Sequence, residues 1–332
     1  MKKKKILITG GAGFIGSHLA ENLEVDKKIS KIIIVDNFED GEFNNLQNII
    51  KSKKVKVFKK DITKLSGKEK FLNKIDCVVH LAALSDLVPS IDKPVKYINN
   101  NFFGTLKVLN AMMKNKIKKI IFAGSSTCYG KNSFGSTSEK SKIDLCHPYA
   151  FSKKVSEDLI VHWSKVFGIN FISLRFFNVY GTRSRTNSDY GAVFGIFMKQ
   201  KIMKKPFTVV GNGKQKRDFI YVTDACRAIN KAIFTKHKNL VLNVGSGKPQ
   251  SINKLVELMG GKKTHIPNRP GEPKKTHANI NLIKKKLKWS PIIDFNNGVS
   301  IILKNQNYWR NAILWDKKKI NKVTKNWFKY LK

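Results

Sequence analysis

Two kinds of apolar run alternate along this chain. The first kind is short and nearly continuous: Ile6–Ile8, Ile32–Val35, Val55–Phe58, Asp76–Leu81, Lys119–Ala123, Phe171–Phe176 and Leu240–Val244. Such runs suit strands buried on both faces of a parallel sheet. The second kind repeats at helical spacing, as at Ile15, Leu19 and Leu23, which gives a helix one buried stripe. Their alternation predicts an α/β fold with a doubly wound parallel sheet. After about Tyr180 the runs break up around Gly191, Pro206, Gly211 and Gly213, and later around Pro267, Pro270, Gly271 and Pro273. Two units are therefore expected: residues 1–180, joined by a later strand near 240–245, and a smaller interleaved lobe over 181–332. In the tail, Ile320, Val323, Trp327 and Leu331 share one stripe, which predicts a single docked helix over 320–331.

The link between the first strand and the first helix is the most specific local signal. It reads Thr9-Gly10-Gly-Ala-Gly13-Phe14-Ile15-Gly16. Gly10 permits a sharp turn, Gly13 lets the backbone approach a pyrophosphate, and Gly16 lets the helix pack close to the strand. Helix N–H groups and the positive end of the dipole then face the phosphates. The second strand ends in Asp36, twenty residues past Gly16. A carboxylate there accepts hydrogen bonds from both ribose hydroxyls of NAD and repels the 2′-phosphate of NADP. Asp61, after the third strand, is placed to touch the adenine side. Leu81, Ala82 and Ala83, closing the fourth, are small enough for the nicotinamide half to approach, and His80 reads as a hydrogen-bonded core histidine.

Composition narrows the picture. No run of 18 apolar residues occurs, and the basic N-terminus leads straight into the glycine turn, so neither a membrane span nor a signal peptide is expected. Four scattered cysteines form no metal-type pair and no disulfide framework, which suits a reducing cytoplasm. The net charge of +41 suggests nucleic acid at first sight. However, 57 of the 64 basic residues are Lys, spread along the whole chain, whereas nucleic-acid surfaces also use Arg for bidentate contacts. A dedicated nucleic-acid partner is therefore not expected.

Candidate chemistry lies after the fifth strand, in Ser125-Ser126-Thr127 and then His147-Pro-Tyr149-Ala-Phe-Ser-Lys153. Tyr149 and Lys153, four apart, share a helix face. A nearby ammonium stabilises tyrosinate and lowers the phenol toward neutrality. Tyr149 could then serve as general base on a substrate hydroxyl, with the Ser125 hydroxyl on the same oxygen. Tyr-x-x-x-Lys alone carries little weight in a chain this rich in Lys; its place after that strand, in a chain with an NAD turn, carries the argument.

With these motifs the chain resembles the extended short-chain dehydrogenases/reductases, in particular the NAD-dependent sugar-nucleotide epimerase/dehydratase family and its bacterial UDP-glucose 4-epimerase-like members. Further motifs carry the likeness: Val88-Pro-Ser-Ile-Asp-Lys-Pro94, Asn101-Phe-Phe-Gly-Thr105, Leu174-Arg-Phe-Phe-Asn-Val-Tyr-Gly181, Arg217-Asp-Phe-Ile-Tyr-Val222, Asn243-Val-Gly-Ser-Gly247 and Arg269-Pro-Gly-Glu272. The resemblance implies a Rossmann sheet and Ser125, Tyr149 and Lys153 as the catalytic trio. It implies Gly10, Gly13, Phe14, Ile15, Gly16, Asp36, Asp61, Ile62, Leu81, Ala82, Ala83 and Asn101 around NAD, alongside Tyr149 and Lys153. Asn178, Arg217 and Arg269 match positions that hold the nucleotide diphosphate, and Thr276 a position that gates the pocket for the sugar 2-substituent. The family also implies a homodimer through two helices of the first unit.

The residues after Ser125 separate reactions within the family. A resembling 4,6-dehydratase needs an acid and a base there, typically Asp-Glu, and a resembling decarboxylase typically keeps a Glu at the second position. Ser126 and Thr127 are neither. The expectation is therefore epimerisation at C4 of a UDP-sugar, UDP-glucose or its N-acetylhexosamine equivalent, through a 4-keto intermediate. A UDP-glucuronate 4-epimerase, another sugar-nucleotide oxidoreductase or dehydratase of this family, and an NAD-sensing regulator remain the alternatives.

Overall fold

The computed structural model describes residues 2–131, 135–184 and 190–331. Seven strands form one sheet: β1 (Lys4–Thr9), β2 (Ile29–Asp36), β3 (Val55–Lys59), β4 (Cys77–His80), β5 (Lys119–Ser125), β6 (Asn170–Phe176) and, far along the chain, Leu240–Val244. All neighbours run parallel. From one edge the order is Leu240–Val244, β6, β5, β4, β1, β2, β3. The direction of winding thus reverses beside β1, which opens a crevice at the carboxyl ends of the central strands. All seven expected strands are present.

The sheet is covered on both faces, which explains the unbroken apolar runs. Ile6, Ile8, Ile32 and Ile34 enter one hydrophobic cluster; Leu7, Ile33 and Val35 enter the other. On the first face, the helix Phe14–Glu24 packs beside the helix Val222–Phe234, where the Cys226 thiol lies 3.6 Å from the Ile15 carbonyl oxygen and Asn230 donates to Asn22. Thus two stretches beyond residue 181, this helix and Leu240–Val244, pack with the sheet.

The remaining strands among the described residues pair in twos. They are β7 (Asn178–Tyr180) with β10 (Phe219–Tyr221), β8 (Phe207–Val210) with β13 (Lys263–Ile266), and β9 (Lys216–Arg217) with β12 (Gln250–Ser251); Leu240–Val244 is β11. The hub of this region is Asp218, fully buried. Its carboxylate accepts from the backbone of Ser246, Gly247 and Ala278 and from the Ser246 hydroxyl, tying the end of β11 to the 276–278 segment.

The tail departs from the expected single helix. It forms two, Lys317–Val323 and Lys325–Tyr330, broken at buried Thr324, whose hydroxyl donates back to the Ile320 carbonyl. Such back-bonding competes with the helical ladder. Ile320 and Trp327 are still buried. Among the described residues no helix is long and apolar enough to cross a membrane, no group of His, Cys, Asp and Glu could hold a metal ion, and all four cysteines are free.

Candidate active site

A cleft of about 620 Å³ opens where the strands end. Its floor begins at the glycine turn. Gly10 has φ +71°, and a Cβ there would lie 2.7 Å from the Ala82 nitrogen. A Cβ on Gly16 would lie 2.1 Å from the Gly10 carbonyl oxygen, so the helix can approach the strand only without one. Gly13 differs. Its φ is −76°, and a Cβ would meet only the Gly10 oxygen at 3.3 Å, leaving open space before the helix. That helix starts with no side-chain cap and no acid in its first turn, so its N–H groups and dipole face the cleft.

Asp36 lies at the rim, 6% exposed. Burial pushes its carboxyl up, against backbone N–H bonds that pull it down; Phe38 donates to Oδ1 and Ala12 to Oδ2, both at 2.9 Å. The carboxylate is fixed, with lone pairs left for hydroxyl donors. Cradle, helix end and carboxylate fit a dinucleotide carrying free ribose hydroxyls.

Phe14, Ile15, Ile62, Leu81, Ala82 and Ala83 also line the cleft. Asp61 and Asn101 are not in its wall. The Asp61 carboxylate accepts from the backbone N–H and the hydroxyl of Thr63, capping a short turn. Asn101 is 1% exposed behind the wall, bonded to the backbone of Leu84 on both sides and to the Ser152 hydroxyl. It braces the loop after β4 against the helix that carries Tyr149.

His80 is the expected core histidine. Thr105 donates its hydroxyl to the Asn101 carbonyl and so accepts from His80 Nε2; Nδ1 then accepts from Thr9. Burial, with Lys153 second, pushes this imidazole down to about 3.

Ser125 ends β5 in extended backbone, and Tyr149 and Lys153 lie on the helix Pro148–Phe167. All three line the cleft. The Ser125 hydroxyl is 2.8 Å from that of Thr127. Burial pushes the Tyr149 phenol up, and the Ser125 hydroxyl opposes this. The expected downward push from Lys153 is missing because burial lowers that ammonium to about 7, with Glu157 opposing; its Nζ lies 4.2 Å from the Phe122 ring centroid. A lysine largely neutral at the pH where a phenol ionises gives it little field.

At the other end, Arg217 and Arg269 converge on one carboxylate. Arg217 donates to Glu272 Oε2 at 3.1 Å and Arg269 to Oε1 at 3.0 Å. Arg269 also donates to the Tyr190 hydroxyl, with its guanidinium 4.7 Å from that ring centroid. Asn178 accepts from the Thr276 hydroxyl at 3.2 Å. The two arginines were legible only through their motif contexts. Glu272 stood in one of those motifs without a role. Tyr190, 7% exposed, left no sequence signal.

The fold and site define a nucleotide-binding α/β protein whose cleft holds a Tyr/Lys pair and two arginines that share the Glu272 carboxylate. The chain matches the NAD dependent epimerase/dehydratase family over residues 6–245. It belongs to that family, and its cofactor is NAD. A putative UDP-glucose 4-epimerase of Methanocaldococcus jannaschii is 33% identical over 315 residues, 91% of this chain and 99% of that protein. A UDP-N-acetylglucosamine 4-epimerase from Methanobrevibacter ruminantium, solved with UDP-N-acetylmuramic acid, is 34% identical with a TM-score of 0.86, covering 93% of this chain and 98% of that one. A UDP-glucuronic acid 4-epimerase from Bacillus cereus, solved with UDP-glucuronic acid and NAD, is 31% identical with a TM-score of 0.85, covering 92% and 99%. Proteins named as UDP-sugar-acid decarboxylases are similar as well.

Proposed function

We propose that this protein inverts C4 of a UDP-sugar, UDP-glucose or its N-acetylhexosamine equivalent, through a transient 4-keto sugar. The carrying observation is the composition of the cleft: the Ser125, Tyr149 and Lys153 side chains share one cleft with the glycine turn, Asp36 and the Arg217–Arg269 pair. Gly10, Gly13, Gly16 and Asp36 would hold NAD. Bound there, NAD supplies a hydride acceptor that serves as donor once the keto sugar presents its other face, so it is regenerated each turn.

Arg217 and Arg269 bind the diphosphate bidentately, which anchors the nucleotide while the sugar is free to turn. Ser125 holds the 4-oxygen, and Tyr149 takes its proton and later returns one. Lys153, on the same helix face, supports the tyrosinate when charged. Ser126 and Thr127 supply no acid or base for elimination. Their hydroxyls also leave the uronate and hexosamine readings of the sugar open. The hexosamine reading is favoured by Thr276, a small side chain bonded to Asn178 in the cleft wall. A homodimer is supported by exposed apolar side chains, Phe103 beside the start of the helix Gly104–Lys114 and Phe151 on the Tyr149 helix.

The test is incubation of the purified protein with UDP-glucose, UDP-N-acetylglucosamine and UDP-glucuronate in turn, followed by separation of the products. A C4 epimer from one of the first two supports the proposal. Conversion of UDP-glucuronate alone shifts it to the uronate reading, and consumption without any C4 epimer overturns it.

A further inference from the structure

The C-terminal segment reaches the active site through one side chain. Trp327 is 1% exposed and lines the cleft, although it stands 178 residues beyond Tyr149. Its indole N–H donates to the Pro270 carbonyl at 2.8 Å, immediately after Arg269 and two residues before Glu272. Its ring lies 5.8 Å from the His147 ring centroid, and His147 in turn lies parallel to Tyr149, 6.0 Å between centroids and 6° between planes. His147 Nδ1 accepts from the Ala150 N–H, so the same imidazole caps the helix that carries Tyr149 and Lys153. Tyr97 closes the far side of Tyr149 edge-on, at 6.3 Å.

Other contacts anchor the segment there. Asn326 donates to Asp92, at the end of the helix Leu87–Asp92 that follows the wall Leu81–Leu84. Gly271, φ +79°, faces Leu331, against which a Cβ would lie at 3.7 Å. One indole thus touches the loop of the diphosphate clamp with its N–H and the stack on the catalytic tyrosine with its ring.

We propose that Trp327 is a positioning residue that fixes both ends of the site: through Pro270 the Arg269–Glu272 loop, and through His147 the ring of Tyr149. The inference rests on the epimerase reading for Tyr149's role, but the clamp end does not depend on which sugar reacts. A rigid link between clamp and base holds the sugar at a set distance from the tyrosine, and small misplacements of that kind cost large factors in rate.

Three variants separate the two contacts. Trp327→Phe keeps a ring against His147 and removes only the N–H donor. His147→Asn keeps a good helix cap and removes the ring from Tyr149. Trp327→Leu removes both contacts. Retained NAD, UDP affinity by calorimetry and steady-state kcat and KM are measured for each. Trp327→Phe is expected to weaken UDP about fivefold and raise KM with kcat nearly kept, the loss of one hydrogen bond. His147→Asn is expected to lower kcat about tenfold or more with UDP affinity unchanged. Trp327→Leu shows both losses, and all three retain NAD. In the unmodified protein UDP changes the tryptophan fluorescence, and Trp327→Phe lacks that component. Unchanged UDP affinity and kcat in Trp327→Leu overturn the proposal. So does an equal loss of NAD, UDP binding and turnover in all three, which marks a purely structural tail. If no UDP-sugar is epimerised by any form, the catalytic reading fails, while the UDP and fluorescence results still decide the clamp end.

Discussion

Tyr149 carries the proton chemistry proposed for the site, and His80, in the core, the acid sensitivity of the fold. The protein's own groups hold the Tyr149 phenol above its ordinary value, burial first, so its work as a base depends on positive charge brought close. Tyr149→Phe should therefore retain NAD, seen in the absorbance of the purified protein, while turnover falls by about 100-fold or more. Unchanged turnover would remove Tyr149 from the proton path. His80 titrates at about 3 in the fold against 6.5 when exposed, so the unfolded chain binds its proton first. The His80 contribution to stability is complete above pH 6.5 and is lost as pH falls from there toward 3; His147, at about 4, adds to the same loss. His80→Gln should flatten that acid slope of Tm against pH, and an unaltered slope would show that other groups carry it. Thr276 lines the cleft, its hydroxyl bonded to Asn178 and to the Asp218 N–H, and is proposed to gate the sugar 2-substituent. Thr276→Tyr should cut kcat/KM for the N-acetylated substrate by more than tenfold and spare UDP-glucose; equal losses on both would show that Thr276 does not gate the 2-substituent.

At the scale of elements, the glycine turn makes a prediction that separates folding from binding. Gly16→Ala puts a Cβ 2.1 Å from a carbonyl oxygen, and helix and strand must part. Gly13→Ala meets a single atom at 3.3 Å with φ in an ordinary region. The alanine at 13 should fold with a Tm within a few degrees of the parent and yet purify without NAD, because its methyl fills the phosphate space. The alanine at 16 should yield little folded protein. If Gly13→Ala retained NAD, the diphosphate would lie elsewhere. This turn was fully legible, since strand, spacing and Asp36 all stand within 36 residues. So were the seven strands, because a strand buried on both faces leaves an unbroken apolar run. The break at Thr324 was not, because back-bonding of one hydroxyl leaves the apolar stripe intact. The partners of Asp61 and Asn101 were not legible for a related reason: a motif shows which residues stand together, but the direction a polar group faces is decided by nearby donors.

At the scale of the molecule, the site joins segments that sequence order keeps apart. Ser125 and Tyr149 come from the sheet side, Arg217 and Arg269 from later strands and loops, and Trp327 from the tail. Each long-range meeting rests on ties such as Asp218 to Ala278 or Trp327 to Pro270. None of these ties has a periodic signature, which is why Glu272, Tyr190 and the His147–Trp327 contact escaped the sequence. The whole arrangement serves one claim: the hydrogen at C4 leaves the sugar, stays within the cleft and returns to the same carbon. Incubating the protein with UDP-N-acetylglucosamine or UDP-glucose carrying deuterium at C4, without added NAD, tests this most directly. The account predicts a C4-inverted product with its deuterium still at C4, by NMR and mass spectrometry. An inverted product that has lost the label to water, or no inverted product from either sugar, would contradict it.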